Sequence, residues 1–190
     1  MDVHNAIISR RSIRSFQQKP ITEELLKKFI DAARIAPSAA NLQPLEYIII
    51  NDKGVCAEVF KTIGWAGYIK PTWAPAEEER PVAYIIILVN DITNKWHQRD
   101  VGLASENIVL MAESEDIGTC IVYNVDRDKI RDMLYVPESS HIDSVIALGY
   151  KAEHPVMVDI KDSVKYWRDE HEVLHVPKRK LEDVMHMNKF

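Results

Sequence analysis

Residues 82–89 read Val-Ala-Tyr-Ile-Ile-Ile-Leu-Val, a short, continuous apolar run rich in isoleucine. A half-exposed strand alternates apolar and polar residues, whereas a continuous run of this length predicts a strand covered on both faces. The chain must therefore supply helices to cover a core sheet. The segment 22–36 meets that need. Thr22 can cap it, Glu23 and Glu24 stand in its first turn, and Leu25, Leu26, Phe29, Ile30 and Ala33 form one apolar stripe before Pro37. A long helix is expected over 100–115, with shorter ones over 2–9, 54–63 and 126–135. Further strands are expected at 46–50, 119–123 and 142–149. Few strands with long helices between them imply one core sheet wrapped by helices, as a single domain over residues 1–190. The last forty or so residues carry no core-forming pattern until a helix expected from about 181. Residues 151–190 read as an extension that wraps a partner subunit.

Composition narrows the function. With 24 basic and 29 acidic residues the net charge is −5, which argues against a nucleic-acid binder. Cys56 and Cys120 are too few for a disulfide scaffold and lack a C-x-x-C spacing. The apolar runs fall far short of the roughly 20 residues of a membrane span. A cytoplasmic protein with no membrane partner is expected. Basic residues nevertheless collect in two islands: Arg10, Arg11, Arg14 and Lys19, and Lys178, Arg179 and Lys180. Either alone is also compatible with a solvated charge run. Together in an acidic chain they point to a small anionic ligand, because guanidinium offers paired donors to phosphate oxygens. The loop Pro37-Ser-Ala-Ala-Asn-Leu-Gln-Pro44 adds amide and hydroxyl groups suited to a heterocycle edge. Gly64 to Pro81 reads as an irregular excursion, whose Trp65, Tyr68 and Trp73 could stack on a flat ligand or anchor the loop.

The Arg-Arg-Ser-Ile-Arg opening, the Ala-Pro-Ser-Ala-Ala-Asn-Leu-Gln-Pro loop and the closing Pro-Lys-Arg-Lys-Leu-Glu-Asp-Val segment occur in the order of the signatures of the nitroreductase family. The chain resembles that family's compact members over essentially its whole length. The resemblance implies an α+β fold with a mixed, mainly antiparallel sheet flanked by helices, in an intertwined homodimer with FMN at the subunit interface. It implies that Arg10, Arg11 and Ser12 hold the FMN phosphate, which carries about two negative charges, and that Lys178, Arg179 and Lys180 close on it. Arg14 is placed near the flavin pyrimidine edge. Pro37, Ser38, Ala39 and Asn41 lie against the flavin from the other subunit, and Tyr123 and Asn124 beside its N5 edge. Leu45 replaces the aromatic residue usual after Gln-Pro. NADH or NADPH would be the transient electron donor for a small-molecule acceptor: a nitroaromatic, a quinone or a similar flat conjugated compound. The cofactor carries that chemistry, so no catalytic side chain is assigned.

A competing motif comes from another enzyme class. His171-Glu-Val-Leu-His175 matches H-E-x-x-H, which on a helix places two imidazoles on one face for zinc. Pro177 argues against a helix there, and Val173 and Val176 fit an extended segment. A flavin protein without turnover is the remaining alternative.

Overall fold

The computed structural model describes residues 1–69 and 73–190. Its elements run α1 (Val3–Ser9), β1 (Phe16–Gln17), α2 (Glu23–Arg34), β2 (Leu45–Ile50), α3 (Lys53–Phe60), β3 (Ala83–Val89), α4 (His97–Ser114), β4 (Ile117–Val122), α5 (Arg127–Leu134), β5 (His141–Lys151), β6 (Val156–Asp159), β7 (Trp167–Arg168) and β8 (Leu174–Lys178). β5 is the hub of the main sheet. It pairs antiparallel with β3 along one edge and with β4 along the other. Tyr150 faces both Ile117 of β4 and Gln17 of β1, so β1 continues the line of β3 on the same edge. β2 closes the far side against β3, again antiparallel.

Every residue of β3 is buried, as the unbroken apolar run requires. Tyr84, Ile86 and Leu88 face one core, with α3, α5 and their loops. Ala83, Ile85, Ile87 and Val89 face the other, with Leu26, Phe29 and Ala33 of α2 and Val101, Ala104, Ile108 and Ala112 of α4. The Thr22 hydroxyl accepts from the Leu25 amide and caps α2 as the sequence implies. α4 begins three residues before the expected start.

The N-terminal segment depends on two glycines. Gly118 of β4 and Gly149 of β5 sit directly opposite each other. A Cβ on Gly118 would lie 2.8 Å from the Ile13 side chain, and one on Gly149 would lie 2.8 Å from that of Phe16. The bare strip lets residues 13–16 lie flat on the sheet, with Ile13 and Phe16 buried in the core.

The C-terminal region departs from expectation in two ways. Residues beyond Tyr150 form a three-stranded sheet of their own, in which β8 pairs parallel with β6 and antiparallel with β7. Of its strand residues only Leu174 reaches full burial, so the sheet adds little core. The helix expected from about 181 is only a 3-10 turn, Leu181–Asp183. Leu181, Val184, Met185 and Met187 are exposed, and a short helix without a packing surface is not stable in water. Among the described residues no helix is long and apolar enough to cross a membrane.

Gly118→Ala should destabilise the fold by about 1–3 kcal/mol, because the added methyl meets packed Ile13 rather than a movable side-chain end. Urea unfolding measures this, and a neutral result would show that residues 10–16 do not depend on the strip. Both cysteines are free and buried, and burial, then the charge of Asp52, pushes the Cys56 thiol up to about 11. At pH 8 in the folded chain neither thiol should react with a disulfide reagent, and both should react once urea unfolds it.

Candidate functional site

Residues 10–16 cross from α1 to β1 along the outer edge of β4. Ser12 bridges Thr119, and the Ile13 amide donates to the Thr119 carbonyl at 2.8 Å. Beyond it, the Arg14 and Ser15 amides both donate to one oxygen of Glu153, at 2.5 and 3.2 Å. The other Glu153 oxygen accepts from Arg168 at 2.6 Å. Both side chains are mostly buried, at 9% and 13% exposure. One carboxylate therefore ties the basic loop to the C-terminal sheet. The Ser15 hydroxyl donates to Glu79 at 2.8 Å.

This fastening presents a dense positive charge. Arg10 Nε is buried without a hydrogen-bond partner and lies 3.4 Å from Glu106. Arg11 donates through Nη1 to the carbonyls of Ile8 and Arg10, while its Nε is also buried and unpartnered. Burial, and then the charge of Arg10, lowers the Arg11 pKa; Glu113 acts in the opposite sense. An anion here would supply an acceptor to the Arg11 Nε and relieve the repulsion between the guanidiniums, so the residues fit a phosphate group. Glu113 is only 3% exposed. It accepts from the Ser9 hydroxyl at 2.7 Å and pairs with Lys151 at 2.8 Å, which anchors the end of α1 below the arginines.

Arg14 points elsewhere. Its guanidinium carbon lies 4.8 Å from the centre of the Tyr166 ring, and Tyr68 packs on the same ring at 5.1 Å. Trp73 lies below Arg168 at 5.3 Å. Trp65 instead packs on Phe60 beside the core. The excursion thus uses Trp65 as an anchor and offers Tyr68 close to Arg14. Lys70 lies outside the described residues.

The Pro37–Pro44 loop is strained and outward-facing. Ala40, Asn41 and Gln43 have φ of 50°, 55° and 50°, left-handed values that non-glycine residues adopt at a cost and that cluster at ligand sites. Ser38 holds the turn: its hydroxyl accepts from the Gln43 amide at 3.0 Å and its carbonyl from the Asn41 amide at 2.9 Å. The Ala39 amide donates to Asp100 of α4 at 2.9 Å. Asp100 is 2% exposed, and its second oxygen has no partner. Ala40, Asn41, Leu42 and Gln43 are exposed.

Tyr123 and Asn124 follow β4. The Asn124 carbonyl accepts from the Gly64 amide at 2.9 Å. The Asn124 side chain packs so close to Gly64 that any Cβ there would collide with it. Tyr123 is exposed, and its carbonyl accepts from the Val125 amide. Lys178, Arg179 and Lys180 lie at the exposed end of the small sheet. The Lys178 carbonyl accepts from the Ile160 amide at 2.9 Å, Arg179 donates to the Asp183 carbonyl, and Lys180 stands 4.0 Å from Asp159. Within one chain the second basic island thus engages its own segment.

The zinc reading does not fit. His171 and Glu172 occupy a turn, with Glu172 at φ 60°, and His175 lies in β8. The imidazoles do not share a helix face. His175 pairs with Asp169 at 2.8 Å and stacks on Trp167.

A profile described as the nitroreductase family matches residues 7–150. The chain belongs to the nitroreductase family. A relative from Methanothermobacter thermautotrophicus, which carries the provisional name NADH dehydrogenase/NAD(P)H nitroreductase, is 34% identical over 169 residues, covering 85% of this chain and 84% of its own. A 4-nitrobenzoate reductase of Pseudomonas putida is 22% identical, covering 84% and 90%. Among solved structures, an FMN-dependent nitroreductase of Clostridium difficile superposes with a TM-score of 0.70 at 22% identity, covering 97% and 98%. The nitroreductase fold expected from the motifs is thereby established.

Sequence reasoning missed the acids that support the site. Asp100 and Glu113 fall on the buried side of α4 with Val101, Ala104, Ile108 and Ala112, so a charge within an apolar stripe was the available signal. Glu153 left no such signal. Replacing Glu153 with alanine would leave the mostly buried Arg168 with the exposed Glu172 carboxylate, 3.9 Å away, as its remaining ion pair, and about 3 kcal/mol of stability should be lost. Thermal and urea unfolding of the variant test this, and a loss below about 1 kcal/mol would show the pair to be incidental.

Proposed function

We propose that the protein is an FMN-dependent NAD(P)H oxidoreductase acting on nitroaromatics, quinones or similar flat conjugated acceptors. The observation that carries this reading is the close pair of guanidiniums of Arg10 and Arg11, with the Arg11 Nε buried and without a partner among the described residues, within a segment matched by the family. The names of the relatives, an NAD(P)H nitroreductase and a 4-nitrobenzoate reductase, support the donor and acceptor classes. The FMN dependence of the C. difficile neighbour supports the cofactor.

In this reading Arg10, Arg11 and Ser12 hold the FMN phosphate, and Lys178, Arg179 and Lys180 close over it. Arg14 stands at the pyrimidine edge, where a guanidinium offsets negative charge. Pro37, Ser38, Ala39 and Asn41 of the second subunit lie against the ring, and Tyr123 and Asn124 border N5. When bound, the flavin would supply the redox chemistry that links NADH or NADPH to the acceptor in ping-pong order. The protein binds, orients and excludes water, with no acid, base or nucleophile of its own.

A homodimer is part of the proposal. Val3, Ile7 and Ile8 of α1 and Val184, Met185, Met187 and Phe190 of the tail are all exposed in one chain. A partner that 151–190 wraps around would cover such surface. The free thiols agree with a cytoplasmic setting.

The purified protein should be yellow, or become so with FMN, and anaerobic NADH or NADPH should bleach it. A colourless protein that takes up no FMN would reject the reading, and a flavin left oxidised by both nicotinamides would reduce it to a carrier. Arg10→Ala and Lys180→Ala should each weaken FMN retention about tenfold or more. Lys27→Gln should not, since Lys27 is exposed and, among the described residues, pairs with Glu23 alone on its own helix.

A further inference from the structure

A cavity of about 310 Å³ lies between α3, the start of β3 and the segment after β1. None of the residues assigned to FMN lines it, so its reading stands apart from the flavin proposal. Its walls include Gln18, Pro20, Cys56, Phe60, Arg80 and Tyr84.

Two of these residues carry unanswered donors. Tyr84 is wholly buried, yet its hydroxyl has no hydrogen-bond partner. Burial drives the phenol pKa upward, so the hydroxyl keeps its proton. Arg80 Nε is likewise buried and unpartnered. The Arg80 guanidinium is stacked over Phe60, 4.3 Å from the ring centre, and Gln18 donates to its carbonyl at 2.9 Å. The donors are therefore held in place. A buried donor without an acceptor is costly, and both residues line a space far larger than one water.

The chemistry of the walls selects the ligand. The fixed unpaired atoms are donors, one belonging to a cation, so the ligand's head must accept hydrogen bonds and carry negative charge. Pro20, Ala57, Phe60, Pro81 and Val82 supply an apolar part of the wall, and Gln18 and Asn51 add neutral polar groups. A guanidinium that shares its wall with the acidic Glu77 suits a monoanionic carboxylate better than a phosphate dianion. Cys56 takes no covalent part: its thiol is neutral at physiological pH and makes weak contacts with the carbonyls of Ile50 and Val82. Glu77 and Lys53 are exposed at the rim and offset each other in charge.

We propose that this cavity binds a compact monocarboxylate with an apolar body. Its carboxylate is taken by Arg80 and Tyr84, and its body lies among Pro20, Ala57 and Phe60.

Benzoate is the probe, titrated calorimetrically into the full-length protein as isolated and located by crystal soaking. One benzoate per chain is expected between Phe60 and Tyr84. Tyr84→Phe and Arg80→Gln should each weaken it about tenfold. Tyr84→Phe removes a hydroxyl that has no hydrogen-bond partner among the described residues, so the variant should fold normally. Neutral benzamide should bind less tightly than benzoate. The proposal is overturned by absence of binding, or by binding insensitive to both substitutions. It is equally overturned if benzoate shifts a flavin spectrum without sensitivity to Tyr84→Phe, which would place it on the flavin. Inorganic phosphate binding the cavity as tightly as benzoate would overturn the carboxylate assignment.

Discussion

The absence of two side chains organises this molecule. Gly118 and Gly149 face each other across β4 and β5, and Ile13 and Phe16 fill the space that their Cβ atoms would occupy. The basic segment can therefore lie flat on the hub of the sheet. Its apolar residues enter the core, and its arginines are displayed at the edge. A Cβ at either position would clash with Ile13 or Phe16 and force the segment or the strands to shift.

The charges are then held by acids rather than left to solvent. Glu113 locks Ser9 and Lys151, Glu153 locks the Arg14 and Ser15 amides and Arg168, and Asp100 locks the strained loop through Ala39. Each is a carboxylate taken out of water and given partners, the condition under which burial of a charge is tolerated. Such fastening lets a cationic edge stay rigid although its guanidiniums repel one another. Among the described residues, one oxygen of Asp100 and the Nε of Arg11 are buried without hydrogen-bond partners, next to the loop and the basic segment that we propose for FMN and the second subunit.

Local sequence rules read the core elements well. The all-apolar run became β3, buried on both faces, and Thr22 caps α2 through its hydroxyl as its type predicts. They failed after residue 150. The weak pattern there does make strands, because β8 finds backbone partners in β6 and β7, a non-local event that periodicity does not report. The helix foreseen from 181 required an apolar surface to rest on, and a single chain offers Leu181 and its neighbours none. The match at His171–His175 shows the reverse hazard: spacing that would matter on a helix means nothing across a turn and a strand.

The amino-acid sequence by itself determined a helix-covered sheet, two cationic islands and a polar, proline-bracketed loop, because burial, charge and turn chemistry are written in residue types at short range. It also carried the ordered motifs by which the family is recognised. Only the tertiary structure decided how those parts are held. The facing of Gly118 with Gly149, the use of Glu153 as a double clasp, and the cavity where Gln18 and Cys56 meet Arg80 and Tyr84 all join residues far apart in the chain. Their physical cause is the packing of strands side by side, which local patterns do not encode.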